Sequence, residues 1–476
     1  MSPPVDTAVL GRVDTDITFG CGTHLKEQLT TTPVLDLPQS RLSVSQSLEL
    51  QLRKNAVGED GFGEGVYNND AFYVADLGEV WRQHWRWKEL LPRIEPFYAV
   101  KCNPDPKVVK LLADLGIGFD CASKNEIKQV LDLGVDPSRI IYANPCKQSS
   151  FVRYATNNDV RMMTFDNTEE LHKIKKLFPE AHLVLRILTD DSKSLCQLGL
   201  KFGAPLDSCR HLLETAQALD LNVIGVSFHV GSGCYDEHAF EDAVLRARHV
   251  FDLGLELGFD FRFLDVGGGF PGADVQEGIT FSKVAAILGP AVDRHFPDPA
   301  IRVIAEPGRY YAASAFTLAT SIIARRTVLR DHSAVAKDQH DCQGSVGDNE
   351  VINDSSPSMD DHPAYMYYIN DGMYGSFNCI MFDHQQPVPK ILQKGGKYIY
   401  SPYNPPYTSH DNTQVFDTSI WGPTCDSIDC VVKKCEMDQL DVGDWLVWEN
   451  MGAYTAAAGS AFNGFERVSV FYTFTA

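Results

Sequence analysis

A short apolar run followed by a helix-patterned stretch occurs eight times in succession, and this alternation limits the folds open to the chain more than any other feature. The runs fall at 97–100, 117–120, 140–143, 162–165, 183–188, 223–230, 261–266 and 301–305. Each is short, often β-branched and apolar at consecutive positions, as strands covered on both faces must be. The stretches between them suit helices. Ser123 followed by Glu126 reads as a capping box, and Ile127, Val130 and Leu131 then supply an apolar stripe. Leu171, Ile174, Leu177 and Phe178 supply another. Eight strand–helix units over about 210 residues predict a (β/α)8 barrel. The competitor is an open doubly wound sheet, which usually has roughly six strands and a GxGxxG after the first. No such motif follows the first run.

The flanks read differently. Residues 1 to 40 are polar, rich in Thr, Asp, Gly and Pro, and without a clear period, which predicts a mostly disordered segment. Residues 331–362 hold eight acidic residues, one Lys and no aromatic, a composition that predicts a flexible surface insertion. After Tyr310 the texture turns strand-like at 364–370, 397–400, 444–449 and 467–474. A strand at 72–74 precedes a helix over 77–91 that carries Trp81, Trp85 and Leu90. The predicted organisation is a barrel over 78–313 and a β-rich domain from 41–77 and 314–476, interrupted by the insertion.

Charge and cysteine usage narrow the function classes. Lys plus Arg is 42 against 63 for Asp plus Glu, a net charge of −21. That balance argues against nucleic acid or anionic membrane as a general partner, but not against a small cationic substrate. The first residues lack a basic region followed by an apolar run, and the stretch 311–324 is too short and too rich in Ser and Thr to span a bilayer. A soluble, cytoplasmic protein is expected, with its 12 cysteines mostly reduced. Cys425, Cys430 and Cys435 recur at a five-residue step without CxxC pairs or nearby His, so they read as ordinary buried thiols, and no metal is expected.

In a barrel of this type the chemistry sits at the C-terminal strand ends. Lys101 follows the first run, Asp120 ends the second and Arg186 lies in the fifth. His229, Ser232 and Gly233 belong to the sixth and its loop, Gly267, Gly268 and Gly269 follow the seventh, and Glu306, Gly308 and Arg309 follow the eighth. Burial at a strand end would lower the pKa of Lys101 and make its amine a nucleophile toward an aldehyde. The glycine run lets backbone N–H groups approach a phosphate, with Arg309 and Ser232 completing the cradle. Glu306 could face a pyridine nitrogen, and His229 could stack on the ring. Each residue alone has a plainer reading. A lone lysine is usually a surface residue, a triple glycine a tight turn, and Glu306 with Arg309 a structural ion pair. Asp120 could cap a helix, Arg186 could pair with a carboxylate, and His229 could be a hydrogen-bonded core residue. It is their placement at one barrel end that favours a site.

The strings PFYAVKCN, GFDCASKNEI, SFHVGSGC, DVGGGFPG, EPGRY, YINDGMYGSFNCIMFDH, WGPTCD and ENMGAYT resemble those of eukaryotic ornithine decarboxylases, most of all the fungal ones. The resemblance runs from about Phe72 to the C-terminus except across 331–362. It implies a pyridoxal 5'-phosphate enzyme with a barrel followed by a β-domain. By that resemblance Lys101 binds the cofactor's aldehyde, with Asp120 and Arg186 around it. His229 stacks on the ring, Ser232, Gly269, Arg309 and Tyr454 contact the phosphate, and Gly268 and Gly308 also bind the cofactor. Glu306 partners the pyridine nitrogen, and Cys425 returns a proton to the substrate carbon. Asp383 and Asp426 hold the distal amine of L-ornithine, and Phe462 lines the pocket around the departing carboxylate.

The resemblance also implies a homodimer in which Cys425 and Asp426 reach the other subunit's cofactor, and an antizyme-type regulator as a partner. Phe382 departs from the animal pattern, which often has Tyr before the aspartate. Read without the resemblance, Cys425 fits an inert thiol, Tyr454 a core aromatic, and Asp383 and Asp426 turn residues. The implied activity is decarboxylation of ornithine to putrescine, the first step of polyamine synthesis. The rivals are an inactive homologue acting as a regulatory binding protein, a decarboxylase of lysine or another basic amino acid, and a racemase on the same barrel.

Overall fold

The computed structural model describes residues 37–57, 69–234, 236, 238–274, 279–328, 363–409 and 414–475. The insertion at 331–362 lies outside the described residues, as does the predicted disordered segment except for 37–40. In that short remainder the Ser40 carbonyl accepts a hydrogen bond from the Phe474 N–H at 3.1 Å.

All eight apolar runs are strands of one closed parallel barrel: Ile94–Ala99, Gly118–Cys121, Ile140–Tyr142, Met162–Phe165, His182–Arg186, Asn222–Ser227, Phe263–Asp265 and Arg302–Ala305. Each strand pairs with the next in sequence, and the eighth closes on the first with Ala305 opposite Pro96. Phe97, Ile141, Met162, Val184, Phe263 and Ile304 fill the interior, so the barrel is packed and its chemistry is confined to the rim. Gly118 makes room for that filling, since a Cβ there would come 2.6 Å from the Phe97 ring. On the outside, helix Leu77–Leu90 buries Trp87 against Phe270, Phe281 and Tyr310 at ring distances of 4.8, 5.3 and 5.3 Å. The capping box at Ser123 is shifted by one residue. Ser123 accepts from the Glu126 N–H, but the Glu126 carboxylate takes the Ala122 N–H rather than that of Ser123.

Strand pairing is tightest where backbones approach with no side chain between them. A Cβ on Gly225 would lie 1.8 Å from the Phe263 carbonyl oxygen of the neighbouring strand. Backbone cannot move aside as a side-chain tip can, so Gly225→Ala should destabilise the protein by about 3 kcal/mol. Urea unfolding checks this, and a midpoint equal to the parent's would contradict it.

The β-rich part is a nine-stranded sheet among the described residues. It runs Lys397–Tyr398, Pro389–Lys394, Trp445–Trp448, Phe316–Val328, Ala364–Ile369, Val415–Trp421 and Cys430–Asp438. Phe72–Asp76 joins it beside both Phe316–Val328 and Ser469–Thr473. The stretch weighed above only as a membrane span therefore supplies most of a 13-residue strand. It is buried continuously through Ile322, which erases the alternation that would have marked it. Lys433, Lys434 and Glu436 likewise hid Cys430–Asp438. The cysteines of that region are not ordinary buried thiols, since Cys425 is exposed and Cys430 and Cys435 are half-buried. Among the described residues no helix is long and apolar enough to cross a membrane, and no group of His, Cys, Asp or Glu could hold a metal ion.

Candidate functional site

The strand ends converge as the register dictates. Ala99 lies opposite Asp120 on the first two strands, and Lys101 sits in the turn just beyond, so its ammonium forms an ion pair with the fully buried Asp120 carboxylate. Glu306 is buried and follows the eighth strand, and its N–H donates to the Gly267 carbonyl at 2.6 Å. Arg186 is buried at the end of the fifth strand with its guanidinium 5.3 Å from the Phe202 ring. No described carboxylate forms a salt bridge with it. Nδ1 of His229 accepts the Gly231 N–H at 2.9 Å, which leaves Nε2 to carry the proton of a neutral ring.

The glycine run is more than a turn. Gly267 and Gly269 have φ of +65° and +108°, in the left-handed region. A Cβ on Gly268 would come 2.7 Å from His229 Nε2 and 2.9 Å from the Glu306 carbonyl, so no side chain fits between the imidazole and the acid. A Cβ on Gly308 would meet the Cβ of Cys102 at 2.7 Å.

Electrostatics follow from this crowding. Burial opposes charge on Lys101, but Asp120, then Glu306 and Tyr454, outweigh it and raise the ammonium's pKa. This reverses the lowered pKa expected from strand-end burial, because the neighbouring strand delivers a carboxylate as well as a dry environment. Burial, then Arg186 and Lys101, hold His229 well below its ordinary value and therefore neutral. Glu306 is driven well above the usual carboxylate range by burial, then by Asp265 and Asp120.

Arg309 opens the short helix Arg309–Ala312, and its Nη2 donates to Ser232 Oγ at 3.0 Å and to both oxygens of Asp383 at 2.6 and 2.7 Å. The structural ion partner of Arg309 is therefore Asp383 and not Glu306. Asp383, read above as a holder of substrate amine, is buried and accepts from Arg309 while each oxygen keeps a further lone pair, with the Cys196 thiol 3.6 Å from its Oδ1. The guanidinium stands 5.1 Å from the Tyr454 ring, and the Tyr454 N–H donates to the Cys102 carbonyl at 2.9 Å. Phe382, beside Asp383, is 68% exposed.

A second group forms elsewhere on the chain. The Tyr374 hydroxyl donates to Asp426 at 2.5 Å and its ring stacks on Phe462 at 4.2 Å. The exposed Cys425 thiol lies 3.4 Å from Asn463 Oδ1. Buried Asp429 staples this loop by accepting from the Thr424 N–H and hydroxyl and from the Met373 N–H. Among the described residues no hydrogen bond or ion pair joins Cys425, Asp426 or Phe462 to the Lys101 group. Sequence reasoning missed Tyr374, Asp429, Cys196 and Asp265. Tyr374 and Asp265 lie inside the strings YINDGMYGSF and LDVGGG, next to residues that were singled out.

The Lys101 group matches an aldehyde-bearing, phosphorylated pyridine. Arg309 Nε is buried without a partner, as a donor awaiting an anion would be, and Asp120 Oδ1 is likewise unpartnered. Lys101 brings an amine and Glu306 a buried acid to the same barrel end.

Comparison with known proteins agrees. The family model described as pyridoxal-dependent decarboxylase, pyridoxal binding domain, matches residues 77–313. An ornithine decarboxylase of Neurospora crassa is 53% identical over 435 residues, 90% of this chain and 86% of the relative. Antizyme inhibitor 2 of Xenopus laevis is 52% identical over 406 residues, 85% of this chain and 81% of the relative. Among solved structures, the Paramecium bursaria Chlorella virus arginine decarboxylase superposes with a TM-score of 0.75 at 32% identity, covering 90% of this chain and 100% of that one.

Proposed function

Because this chain belongs to the family of pyridoxal-dependent decarboxylases, we propose that it converts L-ornithine to putrescine and carbon dioxide with pyridoxal 5'-phosphate as cofactor. The observation that carries the reading is the meeting of Lys101, Glu306 and Arg309 at one barrel end, with Asp383 held against Arg309. Bound there, the cofactor supplies an aldehyde for amine capture and a ring that accepts the electron pair left when carbon dioxide departs.

The chain's own residues do the rest. Lys101 Nζ, held as an ammonium by Asp120, is the amine that would carry the cofactor once its proton is lost to the incoming aldehyde chemistry. Arg309 keeps Nη2 on Asp383 and Ser232 and presents its free Nε to the phosphate. Gly268 lets the His229 imidazole lie flat beside the ring, and its neutral state spares the ring a neighbouring cation. Asp383 and Asp426 pair with the distal ammonium and fix the substrate's length. Phe462 keeps water from the departing carboxylate, and Cys425 Sγ returns a proton to the α-carbon.

Cys425, Asp426 and Phe462 make no described bond to the Lys101 group, which supports the resemblance's expectation that they serve the site of a second copy of the chain. The reading thus includes a homodimer with shared sites. Mixing Lys101→Ala chains with Cys425→Ala chains tests it. Random pairing puts one intact site in half of the dimers, so about one quarter of the parent activity should return. No recovery after subunit exchange would rule out sharing. Product analysis with ornithine, lysine and arginine separately tests the substrate, and putrescine should dominate.

The similarity to Antizyme inhibitor 2 favours a second reading, a non-catalytic chain that binds a regulator of the enzyme. Lys101, His229, Arg309, Cys425, Asp426 and Tyr454 are all in place, which weighs for catalysis. A chain that takes up the cofactor and yields no putrescine would decide for the second reading. An antizyme-type regulator is a partner under either.

A further inference from the structure

Asp265 ends the seventh barrel strand, fully buried, and one residue, Val266, separates it from the triple glycine. Its Oδ1 accepts the Gly267 N–H at 2.8 Å, and the Gly267 carbonyl accepts the Glu306 N–H at 2.6 Å, so one glycine braces both acids. Asp265 Oδ2 meets no fixed donor of the protein. Glu306 follows two residues after Ile304, the register partner of Asp265, so the two buried acids stand at adjacent strand ends and act on each other. Two buried carboxyl groups so placed can bond to each other only if one of them carries a proton.

A count of charges at the barrel rim demands the same proton. The first strand contributes the Lys101 cation, the second the Asp120 anion and the fifth the Arg186 cation. The loop after the sixth adds His229, which accepts the Gly231 N–H at Nδ1 and is therefore not a cation. The seventh and eighth add Asp265 and Glu306. Among the groups that act on Asp265 and Glu306, the acids themselves and Asp120 make three carboxyl groups against two cations, and one proton removes the excess charge. Asp120 is occupied by Lys101, which leaves the other two acids to hold that proton.

We propose that Asp265 is a positioning residue that shares one stored proton with Glu306, and that this is the proton Glu306 passes to the ring nitrogen of the cofactor. The proposal rests on the cofactor reading above. On loading, the O–H bond at Glu306 breaks and an N–H bond forms at the pyridine nitrogen. Glu306 is left as a carboxylate facing the new cation, and no proton is drawn from solvent. Burial, partly offset by the bond from Glu306, pushes the Asp265 carboxyl up to about 7, which fits a proton retained at neutral pH.

Infrared difference spectroscopy reads the stored proton directly. Cofactor-free protein at neutral pH should show the absorption of one protonated carboxylic acid, and loading with pyridoxal phosphate should abolish it. Asp265→Asn should lack the band from the start, and so should Glu306→Gln, which serves if the first variant does not fold. Absence of the band from the cofactor-free parent, or its survival at full size in both variants, would overturn the proposal. A parent that shows the band yet takes up no pyridoxal phosphate would instead sink the functional reading and leave the shared proton standing.

Discussion

Lys101→Ala is expected to lower the rate of putrescine formation on the order of 10⁴-fold while leaving a folded protein. In the proposed reaction the side chain is the nucleophile that tethers the cofactor between turnovers, and no other described lysine at the rim replaces it. Lys147 is a buried lysine, but its amine is spent on the Asn144 and Thr164 carbonyls and on Glu170. Removal of Lys101 also leaves Asp120 buried opposite empty space, with Arg186 as the remaining cation of the rim. Cofactor affinity should therefore fall along with turnover. Borohydride reduction gives an independent check. In the parent the cofactor becomes fixed to the peptide carrying residue 101, and in the variant no peptide is labelled. Labelling of a different lysine in the parent itself would reject the assigned role.

Glu306→Gln should cost roughly 10³-fold in turnover, with a much smaller effect on cofactor binding. An amide cannot carry the negative charge that keeps a ring nitrogen protonated, so the ring loses its capacity to take up electrons although Arg309 and Lys101 still hold it. The same change should alter how stability depends on pH. In the unfolded chain an aspartic acid ionises near its ordinary value, whereas in the folded, cofactor-free chain Asp265 keeps its proton up to about 7. Across that window the folded state binds more protons, so its stability declines as pH rises. With Glu306 replaced, an acid whose own ionisation burial and Asp265 push upward is gone, and the decline should shrink. Thermal unfolding of cofactor-free protein between pH 5 and pH 7 measures this, and parallel profiles for parent and variant would contradict the account.

The barrel was legible because its strands are covered on both faces, so burial and sequence carry the same message. From Phe97 to Ala305 the apolar runs needed only their count and spacing. The β-rich sheet was only partly legible. The strand Phe316–Val328 is buried on both faces for half its length and open for the rest, and neither periodicity dominates. Among the site residues, Lys101, Glu306 and Arg309 could be placed by strand-end logic alone. Asp383, Asp426 and Cys425 could not, since they come from loops whose position depends on the sheet. The charge on Lys101 was misjudged for a related reason. A single strand end predicts burial, but only the neighbouring strand's register reveals that Asp120 meets it.

The contact between Arg309 and Asp383 has one more consequence. Arg309 follows the eighth barrel strand, while Asp383 hangs from the loop after Ala364–Ile369 in the sheet. In the proposed reaction one end of the cofactor would be gripped by the same guanidinium that sets where Asp383, the proposed carboxylate gauge for the amine, stands. Substrate length would then be measured between two lobes joined by a rivet, in the manner of a caliper. A longer diamine precursor must spread the jaws rather than fill a roomier hole, so selectivity can drift through changes far from the jaws that alter how the lobes lean together.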